Sequence, residues 1–265
     1  MALLTINGVE VRCTASSWEP VRMGEVTRAL NGRARNTSTV RKANYMFTTS
    51  AVLPLDYATA LRGLIEGEGH VLSFEDTTSA TSWLYTSRGA APDVISGHSR
   101  VSGRHGSYAL RLSDSAPTDT FWPLSFPASW TVLAWIRNPD IGTWVHRIGR
   151  SDGTEWENGN LGAPGESVFE SCRVDVGRLG LTAHVLGTRD FDEVVALPFA
   201  IPDEWAPALY AFHSTRAFPS LPEVLTGGTR MPTGGLICIG LCGAGRTGPR
   251  LFSVVEQFDF TLYGV

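Results

Sequence analysis

Two glycine-spaced runs carry the residue types of catalytic motifs. Gly149-Arg150-Ser151-Asp152-Gly153 fits G-x-S-x-G, in which a strained strand-to-helix turn lifts a serine hydroxyl as a nucleophile. The residues behind it, Thr154-Glu155-Trp156-Glu157-Asn158-Gly159-Asn160, read as a loop, so a hairpin turn is expected here instead. Gly243-Ala244-Gly245-Arg246-Thr247-Gly248 fits G-x-G-x-x-G, whose chemistry needs a helix N-terminus against a pyrophosphate. Pro249 and the β-type run after it deny that helix, leaving an inter-strand loop. Cys238 and Cys242 share a face if they lie on a strand, but at roughly 13 Å apart they cannot hold one metal. With Cys13 and Cys172 they are expected to be free, buried thiols. The histidines, His70, His98, His105, His146, His184 and His213, show no ligand spacing. A glycosidase needs two carboxylates facing one cleft. Asp190, Asp192 and Glu193 come nearest, then Asp203-Glu204, and both groups read as solvated loops. No catalytic residue is assigned and the chain is expected not to be an enzyme.

Three further groups carry binding chemistry. Asp152, Glu155, Glu157, Asn158 and Asn160 offer oxygens of the kind calcium collects in sets of roughly six to eight. Their spacing fits no known calcium loop, so a solvated turn is preferred, with calcium the one cofactor considered and no metal site assigned. Trp144 and Trp156 flank that loop, and their ring faces are candidates for stacking on a glycan or a partner protein. The third group is basic. Arg22, Arg28, Arg33, Arg35, Arg41 and Lys42 crowd a stretch whose single acid is Glu25, a pattern suited to docking on an acidic surface.

The elements that must position these residues are mostly β. Charged residues make up only 18% of the 265-residue chain, while 28 glycines and 15 prolines supply turns. The net charge of −4 argues against a nucleic-acid partner. No apolar run is long enough for a membrane-crossing helix, and the first residues lack the pattern of a secretory leader. Asn7-Gly8 and Asn31-Gly32 each sit between short β-type runs and mark tight hairpins. One helix is expected: Asp56 can cap it, and Tyr57, Leu61, Leu64 and Ile65 recur at helical spacing before Gly67 and Gly69. From 107 onward short β-runs alternate with turns, among them Trp130–Arg137, Glu193–Leu197, Ala208–His213 and Ser253–Tyr263, with no amphipathic helix between them. Residues 77–106, rich in Ser, Thr, Gly and Pro, read as linker, with Trp83-Leu84-Tyr85 packing on a neighbouring domain.

Residues 106–112, Gly-Ser-Tyr-Ala-Leu-Arg-Leu, followed by 130–137, Trp-Thr-Val-Leu-Ala-Trp-Ile-Arg, resemble core strands of the laminin-G/concanavalin-like jelly-roll family. The closing Phe258-Asp259-Phe260-Thr261-Leu262-Tyr263 looks like that family's last strand. These are packing motifs, and they imply a fold and not a ligand. The basic hairpin around Asn31-Gly32, the run Arg41-Lys42-Ala43-Asn44-Tyr45-Met46-Phe47, the helix and Gly69-His70-Val71-Leu72-Ser73-Phe74 resemble N-terminal modules of bacteriophage tail and other virion proteins.

The expected architecture is a small α+β module over 1–76, irregular entry over 77–106, and a lectin-like antiparallel β-sandwich over 107–265. The expected role is structural, in a phage particle, with the basic residues docking on other virion proteins and the sandwich serving as interaction or adhesion module. Such components form symmetric homo-oligomers. A host-surface glycan is the outward partner considered, and a soluble carbohydrate-binding module is the alternative. Neither nucleic acid nor membrane is expected as a partner.

Overall fold

The computed structural model describes residues 2–13, 15–21, 26–28, 34–36, 44–93, 97–113, 120–157, 160–161, 171–175, 177–183, 187–219, 223–227, 236–243, 250–251 and 255–264. The protein is mostly β, built from antiparallel sheets, as its turn-rich, charge-poor composition predicts. No described helix is long and apolar enough to cross a membrane. The chain divides into two compact units. One comprises Met1–Ile6, Glu10–Ala58 and Leu221–Val265, the other Asn7–Val9 and Thr59–Ser220.

The first unit holds a large sheet, made from both ends of the chain, and a separate two-stranded pair. Its strands are β1 (Ala2–Ile6), β2 (Val9–Cys13), β3 (Ala15–Val21), β4 (Val26–Arg28), β5 (Ala34–Asn36) and β6 (Asn44–Pro54), joined by four from the C-terminal stretch. Asn7 and Gly8 between β1 and β2 have φ of 45° and 83°, the paired positive values of a type I′ turn, so this predicted hairpin forms. β4 and β5 pair antiparallel on either side of Asn31-Gly32.

The second unit is a sandwich, whose elements are taken in chain order. Helix α1 (Leu55–Glu66) carries Asp56 in its first turn and buries Leu61, Leu64 and Ile65, matching the predicted helix. The next strands are β7 (His70–Leu72), β8 (His98–Ser102), β9 (Tyr108–Leu112), β10 (Thr120–Pro123), β11 (Thr131–Arg137), β12 (Trp144–Arg150), β13 (Glu155–Glu157) and β14 (Asn160–Leu161). β15 (Cys172–Asp175), β16 (Arg178–Leu181) and β17 (Arg189–Leu197) follow, and helix α2 (Ala206–Thr215) completes the unit. The chain then returns to the first sheet as β18 (Glu223–Gly227), β19 (Leu236–Gly243), β20 (Arg250–Leu251) and β21 (Val255–Gly264). That sheet has the order β2-β1-β18-β19-β21-β6-β3, with β20 beside β21.

This division differs from the expected boundaries at 76 and 107. β21 runs along β6 from Val255 opposite Pro54 to Tyr263 opposite Met46, so the closing strand belongs to the first unit and not to the sandwich. Its alternation marks a strand, which forms, but alternation carries no information about which sheet the strand joins. The 77–106 stretch is not a linker either. Trp83 and Leu84 are buried in the sandwich core, Tyr85 is exposed, and β8 is an edge strand of the larger sheet.

In the sandwich, a sheet ordered β14-β13-β12-β11-β17-β9-β8 is faced by a smaller one ordered β10-β16-β15. Val132, Ala134 and Ile136 of β11 and Val194 and Ala196 of β17 pack in one core with Trp122 of β10, Cys172 of β15, and Leu179 and Leu181 of β16. The Trp122 indole N–H donates to the Leu84 carbonyl at 2.7 Å, so the largest buried side chain is also satisfied.

The opposite face of the larger sheet is covered by the helices and the segment before α2. Thr131 accepts from Ile201 N–H at 2.9 Å and donates to the Phe199 carbonyl at 2.8 Å, fastening that segment. Gly63 of α1 lies so close to Phe199 that a Cβ there would stand 2.2 Å from its ring. The expected strand at Ala208–His213 is α2 instead. Pro207 near its start suits a helix N-terminus, the run lacks β-branched residues until Thr215, and Ala206, Leu209, Phe212 and His213 are buried at helical spacing.

Candidate functional site

β17 runs through the middle of the larger sheet and is buried along all nine residues. It pairs with β11 on one side. On the other it pairs with β9 through Arg189–Phe191 and with β7 through Val194–Ala196. The change of neighbour falls at Asp192-Glu193, where the register against β11 also shifts. Glu193 has φ of 44°, a left-handed conformation that costs a non-glycine residue about 1–3 kcal/mol and must be held by its surroundings.

Around this bulge the sheet collects titratable groups. Asp192, Trp135 and His146 are register neighbours on β17, β11 and β12, so their side chains share the face that α2 covers. His146 Nε2 and His213 Nδ1 are 2.7 Å apart, one donating and the other accepting. The His146 ring stacks on Trp135 with centroids 4.8 Å apart and meets Tyr210 at 4.5 Å. The His105 ring meets Trp135 edge-on at 5.6 Å, and the Arg104 guanidinium lies 5.0 Å from the same ring. Asp192 Oδ2 accepts the backbone N–H groups of Arg104 at 2.6 Å and His105 at 2.8 Å. Glu193 Oε2 accepts Phe218 N–H at 3.1 Å. Glu75 closes the same loop, accepting the N–H groups of Ser107 at 2.9 Å and Tyr108 at 2.7 Å. Gly106, at φ of 68°, leaves room for that carboxylate, since a Cβ there would lie 2.5 Å from it.

Burial sets the charges in this cluster. It pushes Asp192 up to about 6, against the pull of the backbone donors, and Glu193 up to about 7. It holds His213 down to about 3 and His146 well below its ordinary value, each with help from a neighbouring imidazole. In mildly acidic medium the four groups are therefore neutral together. His105 Nε2, Trp135 Nε1, His146 Nδ1, Asp192 Oδ1 and His213 Nε2 are buried without a hydrogen-bond partner among the described residues, a density of unsatisfied atoms that marks a special site. No set of three His, Cys, Asp or Glu side chains among the described residues converges in a metal-binding arrangement. What the arrangement does chemically is hold protons and pin two loops by their backbone donors.

One side of the cluster adjoins an ion network. Asp190 is fully buried and receives Arg111 through Nε at 2.6 Å and Nη2 at 2.9 Å, and Arg137 through Nη2 at 2.6 Å. Asp190, Asp192 and Glu193 are thus not a solvated loop, as their polarity suggested, but the interior of a central strand. The signal available in the sequence was the apolar run Val194-Val195-Ala196-Leu197 directly behind them. The histidines without ligand spacing include three, His105, His146 and His213, that the fold brings together from β12, α2 and the loop between β8 and β9.

The other predicted residues fall elsewhere. Arg28 lies on β4 and Arg35 on β5; their side chains, and Arg22, Arg33, Arg41 and Lys42 entirely, are outside the described residues. Trp156 is only 3% exposed and is covered by the Arg150 guanidinium 5.1 Å from its ring, so it does not offer a face to a glycan. Trp144 is half-buried beneath the Arg137 guanidinium at 4.5 Å. Ser151 sits in the expected turn, between β12 and β13, with Arg150 N–H donating to the Thr154 carbonyl at 2.9 Å. In the acidic loop, Asp152 is held down to about 2 by its bond to Arg150, and Glu157 pairs with Arg147 at 3.1 Å. Asn158 is outside the described residues. Cys13 and Cys172 are buried thiols, while the side chains of Cys238 and Cys242 on β19 are outside the described residues.

No protein-family model matches the chain, and no curated protein or solved structure matches it.

The sandwich unit also carries an open groove of about 300 Å³, walled by Ser73, Asp76, Ser87, the exposed Tyr85 ring and Phe218.

Proposed function

We propose that this chain is a non-enzymatic structural component of a bacteriophage particle. The sheet unit docks on other virion proteins through its basic hairpin, in a symmetric homo-oligomeric assembly. The sandwich unit is its interaction or adhesion module. The observation that carries this reading is topological. Residues from both ends of the chain interleave in one sheet, and the sandwich is an excursion between β6 and β18. A module tethered at both ends to a second folded unit suits presentation from an anchor, since termini and insertion points are where domains are joined. The β4–β5 pair adds a short two-stranded hairpin, outside the main sheet, bearing Arg28 and Arg35.

Charge reversal in the full-length chain tests the docking. Arg28→Glu together with Arg35→Glu is expected to cut incorporation into particles by about tenfold or more, since like charges brought together at an interface cost several kcal/mol, without moving the thermal midpoint. Normal incorporation of the double variant would remove the hairpin from the docking surface.

A second reading, carbohydrate binding, is favoured by the groove and not by the tryptophans first considered. Tyr85 supplies an exposed ring, and Asp76 with Ser73 and Ser87 supplies the polar groups a sugar's hydroxyls require. Retention by a glycan array, lost on Tyr85→Ala, is the expected result under this reading. A blank array for the parent chain retires it.

A further inference from the structure

The large sheet of the first unit ends on β2, which has β1 on one side and no strand hydrogen-bonded to its other side among the described residues. Its burial alternates, with Val9, Val11 and Cys13 inside and Glu10 and Arg12 exposed. Asn7-Gly8 forms a two-residue type I′ turn, so Ile6 and Val9 close the hairpin as a hydrogen-bonded pair. In an antiparallel ladder such pairs alternate with pairs whose backbone groups point away from each other. The N–H and C=O groups of Val9, Val11 and Cys13 therefore face β1, and those of Glu10 and Arg12 face outward along the open edge. Neither the Glu10 nor the Arg12 side chain forms an ion pair among the described residues. A row of outward backbone groups is a template for a further strand.

We propose that β2 is a contact between two copies of this chain, paired antiparallel about a twofold axis at Val11. In that register Glu10 stands opposite Arg12 of the second copy, and Arg12 opposite Glu10 of the second copy. Both are hydrogen-bonded pairs, because these residues turn their backbone groups to the edge. Val11 meets its own counterpart at the non-hydrogen-bonded position between them. Residues directly opposite in a ladder project to the same face, so each glutamate lies against an arginine on the exposed side.

Charge complementarity selects a second copy as the occupant. Lysines that guard an edge repel copies of themselves. Glu10 and Arg12 carry opposite signs two residues apart on one face, and reversing the strand exchanges them. The match also fixes the register. A slip by two residues sets Glu10 against Glu10 or Arg12 against Arg12, and a slip by one sets the exposed face of one copy against the buried face of the other. One short strand makes a small, transient interface, under about 1,200 Å², so the pairing is read at high protein concentration. It supplies a contact for the homo-oligomer proposed above, but it rests on β2 alone and not on the docking hairpin or the particle.

Small-angle scattering of the full-length protein tests it, through the mean mass over a concentration series reaching about 1 mM, the range of weak complexes. The parent is expected to dimerise. Glu10→Arg and Arg12→Glu, each alone, are expected to weaken dimerisation by about tenfold or more, since both charge pairs then become like-charged. The double variant Glu10→Arg with Arg12→Glu restores opposite charges and is expected to dimerise as the parent does. A parent that stays monomeric throughout overturns the proposal and leaves the edge to a strand of another protein, while the docking experiment on Arg28 and Arg35 stands apart from that result. A dimer indifferent to the single changes overturns it too, as does a double variant no stronger than the single ones. Should the variants not fold, hydrogen exchange on the parent decides. The Glu10 and Arg12 amides are expected to gain protection by about tenfold as concentration rises through the dimerisation range, while the Val11 amide, which faces β1, holds. Equal protection of Glu10 and Arg12 at low and high concentration overturns the pairing.

Discussion

Asp190→Ala is expected to destabilise the protein by about 3 kcal/mol and to lower its thermal midpoint by roughly 6–12 °C. The Asp190 side chain is fully buried, directly opposite Arg111 on β9 and Arg137 on β11. It therefore ties three neighbouring strands through one carboxylate, and Arg111 reaches it with two parallel bonds. Removing it leaves two guanidiniums side by side with no anion between them. The expected loss is set at the lower end for a broken buried pair because the arginine side chains are 33% and 19% exposed and regain some water. Arg137 also covers Trp144 and reaches the Ser102 carbonyl, so the edge formed by β8 should loosen with it. Thermal melts of the parent and variant at neutral pH check the prediction. A shift under about 2 °C would show that the network orders the strands without stabilising them.

Glu193→Gln is expected to do the opposite, and only at neutral and alkaline pH. Burial raises Glu193 from the ordinary 4.5 to about 7, which corresponds to on the order of 3 kcal/mol. Between those two values the folded protein holds a proton that the unfolded chain has released. The parent therefore loses stability as pH rises through that window, and the loss is complete above it. Glutamine has nearly the same shape, still accepts Phe218 N–H, and has no charge to bury. The variant should match the parent near pH 4 and exceed it by on the order of 3 kcal/mol at pH 8. The buried histidines add an opposite trend. His213, held at about 3, favours unfolding as pH falls below its ordinary 6.5. That trend is common to both proteins and cancels in the difference. Denaturant titrations at several pH values measure it, and a difference that does not change with pH would show that Glu193 is not buried as a neutral acid.

Much of the fold was legible from local pattern. Asn7-Gly8 must turn sharply because both positions take positive φ at little cost, and the hairpin forms. The helix at Leu55–Glu66 follows from apolar residues at helical spacing between an acidic start and Gly67. Thr131–Arg137 and Tyr108–Leu112 are strands because apolar and β-branched residues line them on both faces or on one. The failures share a cause. At Ala208–His213, apolar residues without clear alternation fit either a strand or a buried helix, and Pro207 was the overlooked cue. At Asp190-Phe191-Asp192-Glu193, polar residues suggested solvent, because a sequence does not display the arginines and backbone donors that satisfy buried carboxyls.

The basic hairpin forms from local signals, but its strands pair with Arg28 opposite Ala34, one residue away from the register a two-residue Asn31-Gly32 turn would set. Local chemistry, which acts over a few residues, therefore determined the strands, the first helix and the turns. Tertiary structure alone decided the rest. It decided that Val255–Gly264 lies against Asn44–Pro54, making one sheet from both chain ends. It also gathered His105, His146, Asp192, Glu193 and His213 into one buried cluster from separate elements. Strand pairing depends on which edges remain open once the other strands are placed, and a carboxyl's proton depends on how much water the finished fold excludes. Neither quantity exists until distant segments have met.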